Sequence, residues 1–154
     1  MGPLSMLNGV FWEPRKVIGD AQGVVLHHLR SDDPRFAGFG EIYCSAVPSG
    51  VVRAWKLHRK ICQRMIVPVG KVKFVLYDPR KDSPTHRKTQ EIQLSRENHG
   101  LFGIPPGVWY GFEGLGPGES VIVNCANEPH DPGEVERLPL DNSIVPYQWK
   151  KTGS

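Results

Sequence analysis

Apolar and polar side chains alternate with a period of two along most of this chain. The alternation predicts strands over Gly9–Glu13, Gly23–Arg30, Gly40–Val47, Val51–His58 and Gln63–Val69. It predicts further strands over Lys71–Tyr77, Gln90–Leu94, Gly100–Ile104, Val108–Phe112 and Ser120–Asn124. Successive side chains of a strand point to opposite faces, so each window offers one face to a core and one to solvent. The breakers between windows carry turn chemistry. Pro48-Ser49-Gly50 and Gly70 predict tight reversals, and Pro105-Pro106-Gly107 and Gly114–Gly118 predict wider ones. No window sustains a 3.6-residue period, and helical turns are expected only at Pro34–Ala37 and Pro132–Arg137. Many short antiparallel strands with regular turns predict an all-β jelly roll or barrel.

Composition narrows the function. At 154 residues, with no repeat, low-complexity tract or internal linker, the chain is expected to form a single domain over 1–154. The formal charge of +3 is weak. The densest basic runs, Arg53–Arg64 and Arg80–Arg87, read as solvated faces, so no nucleic-acid partner is expected. Cys44, Cys62 and Cys125 have no metal or redox spacing and read as small buried residues in a reducing compartment. No apolar stretch approaches the ~20 residues of a membrane span. No secretory signal is legible at the N-terminus, and a cytoplasmic protein is expected.

The stretch from Gly50 to Gly70 holds the candidate chemistry. It reads Gly50-Val51-Val52-Arg53-Ala54-Trp55-Lys56-Leu57-His58, continues through Gln63 and closes on Gly70. Its spacing resembles the first cupin motif, in which two histidines and an acid hold a divalent cation inside a barrel. Lys56, His58 and Gln63 stand at those three positions. The second motif adds a histidine after a Pro-x-Gly turn, and here Tyr110 follows Pro105-Pro106-Gly107. One ligand of four survives, so the resemblance implies a double-stranded β-helix, the cupin jelly roll, with no metal and no other cofactor.

A more specific resemblance follows from the motifs in order. Gly19-Asp20-Ala21-Gln22-Gly23, Val52-Arg53-Ala54-Trp55 and Gly70-Lys71-Val72 are followed by Asp78-Pro79-Arg80-Lys81-Asp82-Ser83-Pro84-Thr85 and Leu94-Ser95-Arg96-Glu97-Asn98. Ile104-Pro105-Pro106-Gly107, Gly111-Phe112 and Ile144-Val145-Pro146-Tyr147-Gln148-Trp149 complete the series. Over roughly 18–149 the chain resembles the dTDP-4-dehydrorhamnose 3,5-epimerase family. That resemblance implies a nucleotide-linked 4-keto-6-deoxy sugar as partner and removal of protons alpha to its ketone. A base works on one face, an acid on the other, and the ketone delocalises the carbanion between the two steps. A homodimer is also expected, with the strand around Gly9–Glu13 joining the partner's sheet.

The family's site residues carry over unevenly. Its substrate-contacting arginine matches Arg53. Its base histidine is Lys56, its enolate-supporting lysine is Gln63, its second-motif histidine is Tyr110, and the arginine of its first motif is Gln22. Its acid tyrosine aligns with Val123, and no counterpart of the carboxylate orienting the base is expected. Lys56 reads as a base or enolate stabiliser, or else as a structural lysine. Tyr110 reads as its proton-exchanging partner or as a lining aromatic. Arg53, His58 and Gln63 read as substrate-binding residues, and Trp55, Trp109 and Tyr43 as stacking or core aromatics. Three functions compete: an epimerase or isomerase with an altered acid/base set, a non-catalytic sugar-binding relative, and a metal-dependent cupin, which the ligand tally disfavours.

Overall fold

A computed structural model of the chain describes residues 6–150. The strands are β1 (Phe11–Pro14), β2 (Val17–Asp20), β3 (Gly23–Leu26), β4 (Glu41–Val47), β5 (Val52–His58) and β6 (Gln63–Val69). They continue as β7 (Lys71–Tyr77), β8 (Thr89–Ser95), β9 (Gly100–Ile104), β10 (Trp109–Gly114), β11 (Ser120–Ala126) and β12 (Val135–Arg137). One five-stranded sheet runs β1-β9-β6-β11-β4, the other β12-β5-β10-β7-β8, and β2 and β3 form a separate hairpin. All strand pairs are antiparallel and the sheets do not close on each other. This is the expected all-β jelly roll.

The inward faces of the two sheets meet in a core built on Met65, Val72, Phe74, Leu76, Phe102 and Ile104. Phe74 and Phe102 pack with ring centroids 5.0 Å apart. A second apolar layer lies outside β5, β10 and β7, where the C-terminal segment lays Val145, Tyr147 and Trp149 over Trp55, Val75 and Trp109. The core fills only one end of the space between the sheets. At the other end, around Lys56 and Gln63, polar side chains line a cavity.

The differences from the sequence expectation have physical reasons. β2 was not expected, because Val17 and Ile18 are adjacent and both exposed, leaving no alternation to read. The Gly23–Arg30 strand ends at Leu26. Pro34–Ala37 is not helical: the Asp33 carboxylate accepts from the Arg35 amide at 2.8 Å and closes a local turn instead. Over Pro132–Arg137 only Pro132–Glu134 is a 3-10 turn, and Val135–Arg137 pairs with the free edge of β5. Pairing along that edge satisfies backbone groups that a helix would have left open. The first strand falls at Phe11–Pro14 and pairs with the chain's own β9, Phe11 opposite Gly103. It is the edge strand of that sheet, and among the described residues no strand pairs with its outer edge.

The Asp78–Thr85 motif is a structural knot. Fully buried Asp78 accepts from the Arg80 amide at 3.0 Å, from Arg80 Nε at 2.8 Å and from the Ser83 and Thr85 hydroxyls at 2.5 and 2.6 Å. Arg80 Nη2 and Thr85 Oγ1 then grip Asn8, tying down the N-terminal segment. Burial opposes ionisation of Asp78, but the Arg80 guanidinium and the two hydroxyls outweigh it and hold its pKa well below the carboxylate range. A depressed carboxyl pKa contributes stability that is present above its unfolded value near 4 and is lost as pH falls through the folded value. Asp78→Ala is expected to cost about 3–5 kcal/mol in urea unfolding at pH 7, because it strands buried donors. The deficit against wild type should shrink as the pH is lowered into the acid range.

Candidate functional site

The cavity wall on the β5 and β10 side is set by a bulge. Tyr110 lies opposite Lys56, but Gly111 lies opposite Ala54, so Trp55 is the extra residue on β5. An extra residue shifts the phase of a strand. Lys56 and Arg53, three positions apart, therefore both reach the cavity, together with Tyr110 and Phe112. Trp55 turns the other way and is buried against Trp149, with centroids 5.5 Å apart. Its amide and carbonyl exchange hydrogen bonds with Leu138 at 3.0 and 3.1 Å, extending the pairing of β12.

β12 brings two charged residues that sequence reasoning missed. Arg137 lies opposite Lys56 and lines the cavity beside it and Arg53. Glu134, just ahead of β12, is buried and its carboxylate accepts from the backbone amides of Arg59, Lys60 and Ile61 at 3.1–3.2 Å. The other carboxylate oxygen is hydrogen-bonded to His58 Nδ1. On the far side of the ring, His58 Nε2 faces Tyr110 Oη at 3.3 Å, and the two rings stack with centroids 5.9 Å apart. A carboxylate only accepts, so Nδ1 carries a proton, and in the neutral imidazole Nε2 then presents its lone pair toward Tyr110 and the cavity.

Charge states follow from this burial. Desolvation, with Arg137 and Arg53 nearby, lowers the pKa of Lys56. Desolvation pushes Tyr110 far above the ordinary phenol range, with Tyr43 adding to the effect, so Tyr110 stays a neutral donor. Burial opposes ionisation of Glu134, yet the hydrogen bonds from His58 and the Lys60 and Ile61 amides outweigh it and keep it a carboxylate. Among the described residues, Arg53, Lys56 and Arg137 form no ion pair with a carboxylate within 4.0 Å.

The opposite wall is polar and, apart from Glu41 at its rim, uncharged. Gln63, Asn124, Tyr43 and Ser45 line it from β6, β11 and β4. Asn124 Nδ2 donates to Tyr43 Oη at 2.9 Å and to Gln63 Oε1 at 3.2 Å. Val123, aligned with the family's acid tyrosine, packs instead against the outer Phe11, Ile66 and Leu101 cluster. A hollow of about 290 Å³ opens between Glu41, Tyr43 and His58, and an adjoining one of about 270 Å³ lies along β5, β10 and Arg137–Leu138; both reach Lys56, Tyr110 and Arg137. All five residues singled out from sequence, Arg53, Lys56, His58, Gln63 and Tyr110, line this space. Trp55 and Trp109 belong to the outer aromatic layer. No group of three or more His, Cys, Asp or Glu among the described residues is placed to hold a metal ion.

A cupin-type jelly roll whose cavity joins an imidazole–carboxylate pair to a cationic mouth suits an anionic ligand. The match to known proteins is more specific. Residues 5–154 match the family model of dTDP-4-dehydrorhamnose 3,5-epimerase, and the chain belongs to that family, an isomerase-class family of enzymes. The crystal structure of a dTDP sugar isomerase from Desulfovibrio desulfuricans G20 superposes with a TM-score of 0.91 at 41% identity, covering 96% of this chain and 97% of that one. The spore coat polysaccharide biosynthesis protein SpsL of Bacillus subtilis is 28% identical over 146 residues, covering 94% of this chain and 97% of SpsL. The probable low-salt glycan biosynthesis epimerase Agl13 of Haloferax volcanii is 32% identical over 139 residues, covering 87% of this chain and 88% of Agl13.

Proposed function

We propose that this protein epimerises or isomerises a nucleotide-linked 4-keto-6-deoxy sugar by removing a proton alpha to the ketone, with an acid/base set altered from its family's. The observation that carries this reading is the line Glu134–His58–Tyr110, which ends at a cavity edged by unpaired cations. His58 Nε2 is the base, and Glu134 holds its tautomer and offsets the charge it gains. Tyr110 rests on His58 and turns its O–H to the ketone when the substrate C–H takes its place. Lys56 is a cation beside the developing enolate, and Tyr110 and Lys56 together stabilise it. Arg53 and Arg137 receive the diphosphate, for which guanidinium groups are well matched. Gln63 lies under the sugar as a hydrogen-bonding floor. Neither a metal nor another cofactor takes part.

A homodimer is part of this reading. Val17, Ile18, Val24 and Val25 leave both faces of the β2–β3 hairpin apolar and exposed, and exposed apolar surface of this kind favours self-association. Cys125 is buried as expected, whereas Cys44 is exposed and Cys62 half-buried; all three are free, which supports a reducing, cytoplasmic setting. No helix among the described residues is long and apolar enough to cross a membrane.

In deuterated water, wild-type protein should introduce deuterium next to the ketone of a nucleotide-linked 4-keto-6-deoxy sugar. His58→Ala should slow that exchange about 10²–10⁴-fold, the contribution of a general base. Because Lys56 acts as a cation, exchange should fall as pH rises through its lowered pKa, below the usual lysine range. A rise through the same range would transfer the base role to Lys56. Ligand binding without any exchange would make the protein a non-catalytic sugar-binding relative.

Arg53→Ala should weaken binding of the nucleotide sugar by about 1.5–3 kcal/mol in calorimetry, the scale of a charge-assisted hydrogen bond. Unchanged affinity would place the diphosphate elsewhere.

A further inference from the structure

Inverting a carbon next to a ketone takes two proton transfers on opposite faces of one planar enolate. The inner groups able to remove the first proton, Lys56 and His58 on β5 and Tyr110 on β10, stand on one wall, while Glu41 and His130 lie at the rim of the same hollow. The phenol of Tyr110 is engaged by His58 on that same wall. Inversion therefore needs a proton donor on the wall formed by β4, β6 and β11. The groups lining that wall include the amides of Gln63 and Asn124, the hydroxyl of Ser45, the phenol of Tyr43 and, nearer the rim, the carboxyl of Glu41.

We infer that Tyr43 is the acid that returns the proton from this second wall, an assignment that rests on the epimerase reading above. Its position is built. β4 is the edge strand, Tyr43 stands opposite Asn124 in register, and Asn124 is buried. The Asn124 carbonyl oxygen accepts from the Arg64 amide at 3.2 Å, which fixes the amide orientation and aims Nδ2 at Tyr43 Oη, 2.9 Å away. With Asn124 donating to its oxygen, the Tyr43 hydroxyl is free to donate into the cavity. The same contact stabilises the phenolate left once the proton has gone. Tyr43 is 39% exposed as a residue, and partial desolvation of its phenol raises the pKa, which keeps it protonated until a strongly basic carbon meets it.

The step balances. His58 Nε2 takes the alpha proton, the C–H pair becomes the C=C bond and the carbonyl pair moves to oxygen. On return the oxygen pair reforms the C=O bond, and the C=C pair takes the Tyr43 proton from the other face. Solvent then reprotonates the Tyr43 phenolate and removes the proton from His58, so both groups are restored.

The test separates exchange from inversion. A nucleotide-linked 4-keto-6-deoxy sugar is incubated in deuterated water with wild type, Tyr43→Phe and Glu41→Gln, each verified as folded by its thermal melt. Wild type should give deuterated, inverted product. Tyr43→Phe should still exchange the alpha proton, because the base wall is intact, but return it to the original face. Inversion should then fall at least about 100-fold while deuterium continues to enter. Glu41→Gln should leave both rates near wild type. Inversion at the wild-type rate by Tyr43→Phe overturns the assignment, as does joint loss of exchange and inversion, or uncoupling by Glu41→Gln instead. Absence of exchange in wild type removes the epimerase reading itself, and the assignment with it.

Discussion

The buried carboxylate of Glu134 is the interaction on which the rest of this site depends. It collects the amides of Arg59, Lys60 and Ile61 and the Nδ1 of His58, so four donors converge on one side chain. Burying an ionised carboxyl is costly unless its oxygens are met, and charge-assisted hydrogen bonds are the kind that offset the loss of water. The same bonds join the C-terminal segment to the turn between β5 and β6. β12 can then lie along the free edge of β5, and Arg137 arrives beside Lys56 as a consequence. One residue thus orients the imidazole and completes the cationic mouth.

The two walls divide the work chemically. The β5–β10–β12 wall holds the imidazole and the cations, and its bulge at Trp55 lets Arg53 and Lys56 share a face. The β4–β6–β11 wall is uncharged apart from Glu41 at its rim, and is organised by the amide of Asn124 between Tyr43 and Gln63. A substrate with a diphosphate at one end and a ketone at the other fits this asymmetry. The apolar core at the opposite end of the sheets and the Asp78 knot keep the walls at a fixed spacing.

Much of the fold was legible because a half-buried strand writes its own alternation, as Glu91, Ile92, Gln93 and Leu94 do in β8. β2 escaped because its apolar residues are exposed on both faces, and β12 because three residues are too few to show a period. Arg53, Lys56, His58, Gln63 and Tyr110 were found through motif spacing, and that spacing does place them around one cavity. Glu134 was not found, since its partner lies 76 residues away and nothing in Pro132-Gly133-Glu134 announces the contact. Tyr43 was legible only as an aromatic, because its meaning comes from the Asn124 side chain on the neighbouring strand.

The central claim, that Glu134 fixes His58 with its Nε2 lone pair turned to the cavity, is tested most directly by nitrogen NMR of the histidine side chains. In wild type at neutral pH, His58 should show a protonated Nδ1 and an unprotonated Nε2 as a single tautomer. Glu134→Ala, checked for retained fold, should release it to the mixture of tautomers seen for an unconstrained imidazole. A wild-type His58 protonated on Nε2, or a tautomer unchanged by Glu134→Ala, would contradict the account.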